Sequence, residues 1–263
     1  MRFAMGLEYD GSDFLGWQVQ REGPTVQGCV ETALSRVADH DLRVTCCGRT
    51  DTGVHAICQV IHFDSPSVRS ERSWVLGVNS QLPTGISSLW IRQLDESFNA
   101  RFSAFSRHYR YRVLNRWIRP ALEGSYASWC RRPLDQPLMH RAAQQLRGEH
   151  DFTSFRAVAC QARHPVREIQ KIAVHRYGNR VHIEVEANGF LYHMVRNIAG
   201  SLMAIGTGEK PLKWLAEVLQ ARDRSLASVT APAAGLYFVG ARYPEGYDLP
   251  AQAVDFPQRW DQT

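Results

Sequence analysis

Two things are nearly missing from this chain, long apolar runs and lysine, and each absence narrows what it can be. Hydrophobic residues make up 44% of the sequence, but no run approaches the about 18 consecutive apolar residues that suggest a membrane span, so no transmembrane helix is expected. The opening MRFAMGLEYDG carries one Arg and turns acidic within eight residues, unlike a signal or transit peptide, and points to a cytoplasmic protein. The six cysteines (29, 46, 47, 58, 130 and 160) form no C-x-x-C and no Cys/His pair at zinc-finger spacing. Neither a zinc site nor a secreted disulfide framework is expected. Ten histidines contain no H-x-x-x-H or H-E-x-x-H, so no metal is expected, and no cofactor motif is present either.

Of the 31 basic residues only Lys171, Lys210 and Lys213 are lysines, which leaves 28 arginines in a chain of net charge +5. Arginine presents a planar fork that matches phosphate and stacks on base faces, a bias that suits RNA. A GC-rich genome also favours Arg codons, but codon usage does not decide where arginines cluster. Eight of them (101, 107, 110, 112, 116, 119, 131 and 132) fall between Phe98 and Arg132 against a single acid, Glu123, for a local charge of +7. Phe98, Phe102, Phe105, Tyr109, Tyr111, Trp117, Tyr126 and Trp129 are interleaved with them, the mixture expected where phosphates are neutralised while bases stack on rings. Within it RHYRYRV alternates as a strand, with Arg107, Tyr109, Tyr111 and Val113 on one face and His108, Arg110, Arg112 and Leu114 on the other. A solvated strand edge kept soluble by charge is the plainer explanation, though edges do not need eight arginines.

At 263 residues the chain is long enough for one large domain or two of ordinary size. Its first hundred residues read as strand (Phe3 to Tyr9), helix (from Thr25, with Val26, Val30, Ala33, Leu34 and Val37 on one face), strand (Leu42 to Cys46), strand (Ile57 to Phe63), helix (Glu71 to Val78) and strand (Ile86 to Leu94). That is the order of a ferredoxin-like split βαβ unit. The second half repeats it coarsely: strands at RHYRYRV and Ser125 to Cys130, a helix from Pro137 to Leu146, and a hairpin of Val166 to His175 with Val181 to Ala187. A helix from His193 to Ile205, another from Pro211 to Leu219 and a last strand, Leu236 to Ala241, complete it. In the hairpin Val181, Ile183 and Val185 are expected inward and His182, Glu184 and Glu186 outward. The fold class is therefore α+β, two ferredoxin-like halves forming an extended, mostly antiparallel sheet with helices on one side.

The stretch GRTDTGVHA, Gly48 to Ala56, crowds Arg49, Asp51 and His55 between two glycines, with apolar stretches on both sides. Alone, an Asp between glycines is most often a turn residue. Upstream, YDGSDFLGWQVQ (9 to 20) is a Gly- and Asp-rich loop whose Phe14 and Trp17 are either core plugs or a ligand surface.

Together with DFTSFR (151 to 156), FLYHMVRNIAGSL (190 to 202) and GLYFV (235 to 239), these three blocks resemble the tRNA pseudouridine synthases of the TruA family, in order over nearly the whole chain. The resemblance implies that Asp51 is the catalytic aspartate, Tyr109 an active-site tyrosine and Arg49 the arginine of the same loop, with Arg196 and Leu236 lining the same central active-site cleft. It implies homodimers without metal or cofactor that isomerise uridines 38, 39 and 40 of the tRNA anticodon stem-loop. It also implies halves at 1–106 and 107–245 followed by a tail, 246–263. Arg101, Arg107, Arg110, Arg112 and Arg163 are the candidate RNA-binding residues. Two other readings compete: a non-catalytic RNA-binding protein with paired RNA-recognition-like modules, which has no use for a carboxylate facing phosphates, and a metal-dependent hydrolase using Asp51, His55 and other histidines.

Overall fold

The computed structural model describes residues 1–250. In chain order its elements are β1 (Arg2–Tyr9), α1 (Val26–Ala38), β2 (Thr45–Cys46), β3 (His55–Asp64), α2 (Glu71–Gln81), β4 (Ile86–Leu94), β5 (Ser106–Asn115), β6 (Ser128–Cys130), α3 (Gln136–Gln144), β7 (Gly148–Asp151), β8 (Val166–Tyr177), β9 (Arg180–Ala187), α4 (Met194–Gly206), α5 (Trp214–Ala221) and β10 (Leu236–Arg242). The class is α+β with mostly antiparallel strands, as the patterns require. The described residues form two compact units, one of Met1–Arg107 with the described residues from Tyr237 on, the other of His108–Leu236. Of the tail expected from 246, residues 251–263 lie outside the described residues.

In the first unit β1 lies between β4 and β3, and β2 pairs with β3, all antiparallel. That is the strand order of the split βαβ unit. Thr25 caps α1 by accepting the Gly28 N–H at 3.3 Å, and Asp39 ends it in the left-handed conformation. One sheet face carries Phe3 and Phe63, which stack at 5.5 Å and meet Trp74 of α2 at 5.7 and 5.5 Å. The other face is covered by the stretch after β4, where the Ala100 N–H donates to His62 Nδ1 and Tyr243 donates to the Ala100 carbonyl at 2.7 Å. The strand expected from Leu42 shrinks to Thr45–Cys46. Glu31 and Ser35 of α1 explain this, since they accept the Val44 and Leu42 N–H groups at 3.1 and 2.9 Å and divert them from a ladder.

In the second unit the strand order is β5, β9, β8, β7, with β6 parallel to β5. Ile172, Val174, Val181, Ile183 and Val185 are buried, and α3 packs on β8 and α4. The strand expected from Ser125 begins at Ser128, because Glu123 O accepts the Tyr126 and Ala127 N–H groups in a turn. β7 carries no apolar alternation and was not anticipated; it exists because β8 offers it an edge, pairing Gly148 with Ile169. The face of β9 expected outward is covered instead: His182 is 1% exposed and Glu186 8%.

Candidate active site

The stretch 47–54 leaves the sheet where one edge of β3 changes partner. β2 pairs antiparallel with β3 at Ile61 and His62, whereas β10 pairs parallel at His55 and Ala56. Between them Gln59, fully buried in an apolar strand, turns its side-chain amide to the chain, accepting the Gly48 N–H at 3.3 Å and donating to the Gly48 carbonyl. The Tyr9 hydroxyl bonds Thr50 Oγ1 at 2.7 Å, and the Trp17 N–H donates to the Thr50 carbonyl at 3.0 Å. Val54 N–H closes the turn onto Asp51 O at 3.1 Å, with Gly53 supplying the φ of 76° that a β-branched residue cannot adopt cheaply.

The 9–20 loop packs against this turn so closely that a Cβ at Gly11 would lie 2.0 Å from the Val54 carbonyl oxygen. Its Phe14 and Trp17 are buried, at 6% and 1% exposure, and are core plugs. Inside these contacts Asp51 is half-buried and Arg49 beside it is exposed. His55 is buried, accepts the Gly11 N–H through Nδ1 at 3.1 Å and stacks on Tyr237 at 4.7 Å. The same Nδ1 lies 3.2 Å from an Asp10 carboxylate oxygen. His55 anchors the loop. The thiols that flank it are inert, since burial pushes Cys46 and Cys58 up to about 12.

In the second unit Tyr109 is 9% exposed and meets Phe190 edge-on at 5.0 Å. Arg196 donates Nε to the Ala231 carbonyl at 2.8 Å while its own carbonyl accepts the Ala231 N–H at 3.2 Å. Next to it Asn197, fully buried, joins Phe155 O, Thr230 Oγ1 and the Arg224 guanidinium at 2.7 to 3.0 Å. The strap so tied to α4 is also tied to β5, where Tyr111 donates to the Pro232 carbonyl at 2.8 Å. It then delivers Leu236, 6% exposed. Tyr109, Arg196 and Leu236 thus belong to one unit and Arg49 and Asp51 to the other.

The candidate RNA-binding arginines divide. Arg101 and Arg163 are exposed and Arg112 is half-buried. Arg107 donates to the Ala104 and Arg101 carbonyls. Arg110 is 6% exposed and its Nε is given to Glu184, so it is drawn off the surface into an internal ion pair. Sequence reasoning missed Gln59, Tyr9, Phe190 and Asn197. Gln59 was the findable one, since an amide within a run of apolar residues must find internal partners. Among the described residues no three His, Cys, Asp or Glu side chains are grouped to hold a metal, and no helix is long and apolar enough to cross a membrane.

A family model described as tRNA pseudouridine synthase matches residues 6–103 and 142–244. Proteins named tRNA pseudouridine synthase A from Xylella fastidiosa (strain M23) and Stenotrophomonas maltophilia (strain K279a) are each 54% identical to this chain. The first alignment spans 253 residues, 96% of this chain and 98% of the relative; the second spans 255, 97% and 100%. A solved chain of a Cbf5-Nop10-Gar1 complex aligns with 90% of this chain, 48% of its own, at 11% identity and a TM-score of 0.35. The family model and the two named relatives define an isomerase that rearranges a nucleoside within RNA. The chain belongs to the TruA family of tRNA pseudouridine synthases.

Proposed function

We propose that the protein converts uridines 38, 39 and 40 of the tRNA anticodon stem-loop to pseudouridine, with Asp51 as the catalytic carboxylate. The reaction breaks N1–C1′, turns the uracil and joins C5 to C1′; the C5 proton is lost and N1 gains one, so no electrons are exchanged. An ionised carboxylate at the sugar or base is the one reactive group required. The observation that carries the reading is the half-buried Asp51 beside exposed Arg49, on a turn braced by Gln59, Tyr9 and Gly11. Arg49, the cation of the same turn, holds the geometry of the carboxylate. Tyr109 and Leu236 meet the uridine, which must leave the helical stack at a cost of a few kcal/mol. Arg101, Arg107, Arg112 and Arg163 offset that cost through phosphate contacts. In this reading the enzyme works as a cytoplasmic homodimer, which sedimentation at micromolar concentration checks.

The test is Asp51→Ala with tRNA tritiated at uridine C5. Tritium release should vanish while tRNA binding persists; residual turnover with lost binding would reassign Asp51 to recognition.

A further inference from the structure

Glu184 is a covered carboxylate that the chemistry above leaves idle. It stands in the middle of β9 between the fully buried Ile183 and Val185, with its side chain 19% exposed. Both of its oxygens are taken by β5, the neighbouring strand: His108 Nε2 bonds Oε2 and Arg110 Nε donates to Oε1. The partners are themselves buried, at 7% and 6% exposure. Burial raises the Glu184 pKa, but the bonds and charges of His108 and Arg110 outweigh it and hold the carboxyl below the usual glutamate range.

Side chains alternate along a strand, so residues 108 and 110 project to the face opposite Tyr109. One carboxylate therefore grips both neighbours of Tyr109 from behind, while Phe190 meets its ring. The sequence of β5 makes such a grip useful. Tyr109 and Tyr111 repeat at a spacing of two, as do Arg110 and Arg112. A slip of two residues would put Tyr111 in place of Tyr109 and Arg112 in place of Arg110 while leaving each side chain on its own face, so alternation alone does not fix the register. Buried ion clusters contribute little net stability, and their best-attested use is to fix register.

We propose that Glu184 is a positioning residue for pseudouridine formation, clamping His108 and Arg110 so that Tyr109 is presented to the substrate at a fixed place. The inference rests on reading Tyr109 as a substrate-binding residue. Glu184→Gln keeps the shape and loses the two-armed ionic grip. His108→Gln releases one arm while leaving Arg110 paired, and replaces the first variant if that one does not fold.

The experiment measures tritium release for Glu184→Gln, Tyr109→Ala and the double variant, with folding followed by thermal melting. Glu184→Gln should lower kcat about tenfold or more through misplacement of the tyrosine, with KM for tRNA within about twofold. In the Tyr109→Ala background the same change should cost nothing further, and Glu184→Asp should restore part of the rate. Equal losses in both backgrounds would overturn the clamp and leave the role of Tyr109 standing. Full turnover by Tyr109→Ala would instead overturn the reading on which the clamp rests.

Discussion

The loop of Asp51 and the strand of Tyr109 are held by opposite means. Neutral groups shape the loop's backbone: the Gln59 amide, the Tyr9 phenol and the tight approach of Gly11. The strand is held by charge, with Glu184 between His108 and Arg110. Neutral hydrogen bonds fix a turn without bringing a further charge to it, which suits the catalytic role proposed for Asp51. An ionic clamp is costly to break but shifts the field around it, and here it lies on the face of β5 opposite Tyr109.

The largest effect that would test this contrast is on stability. Arg110→Ala leaves Glu184 buried beside one partner and should cost about 3–5 kcal/mol in urea unfolding; a loss well under that would show the clamp to be weak. Next is Gly11→Ala, whose new Cβ would press on a backbone oxygen that has no side-chain freedom to yield. It should cost about 1–3 kcal/mol and reduce turnover more than binding, since what must shift is the turn of Asp51. Tyr9→Phe removes the neutral bonds of its hydroxyl to Thr50 and Gln59, for about 1 kcal/mol and a measurable fall in kcat.

Acid should separate the units further. His62 lies close to Arg2 and Asp64, and burial first, then Arg2, lowers its pKa against the opposing pull of Asp64. Its contribution is full above the ordinary His value of about 6.5 and is lost as pH falls through the lower folded value. Glu184 follows the same sign from the ordinary Glu value of about 4.3 downward. The protection factor of the Ala100 amide, which donates to His62, should therefore fall on acidification before those of β9 amides. The reverse order would mean that His62 does not carry the acid response. Smallest in stability is Arg49→Gln, an exposed change expected within about 0.5 kcal/mol of wild type but with a lowered kcat, since the group that holds the Asp51 carboxylate is lost.

Much of the fold was legible because its signals are local. β4 runs Ile86–Leu94 as the pattern predicted, and the stripe from Val26 marks α1. β7 was not legible, because a strand of Gly148, Glu149, His150 and Asp151 is made by the edge of β8 and not by its own residues. The candidate residues could be named from their blocks, but not their neighbours. Phe190 and Asn197 sit in a quoted block, yet nothing in a one-dimensional pattern says that one meets Tyr109 and the other ties a strap to α4. The count of arginines misled in one respect: a charge of +7 counts residues, and Arg110 among them faces a glutamate 74 positions away.

The first unit is not continuous in the chain. His55, at the end of the Asp51 turn, is stacked by Tyr237, and the pairing of β3 with β10 begins with the same two residues. A ribosome therefore makes the whole of His108–Leu236 before it makes the residue that closes this contact. The turn of Asp51 gains this support only near the end of synthesis, after the chain of the second unit has been laid down.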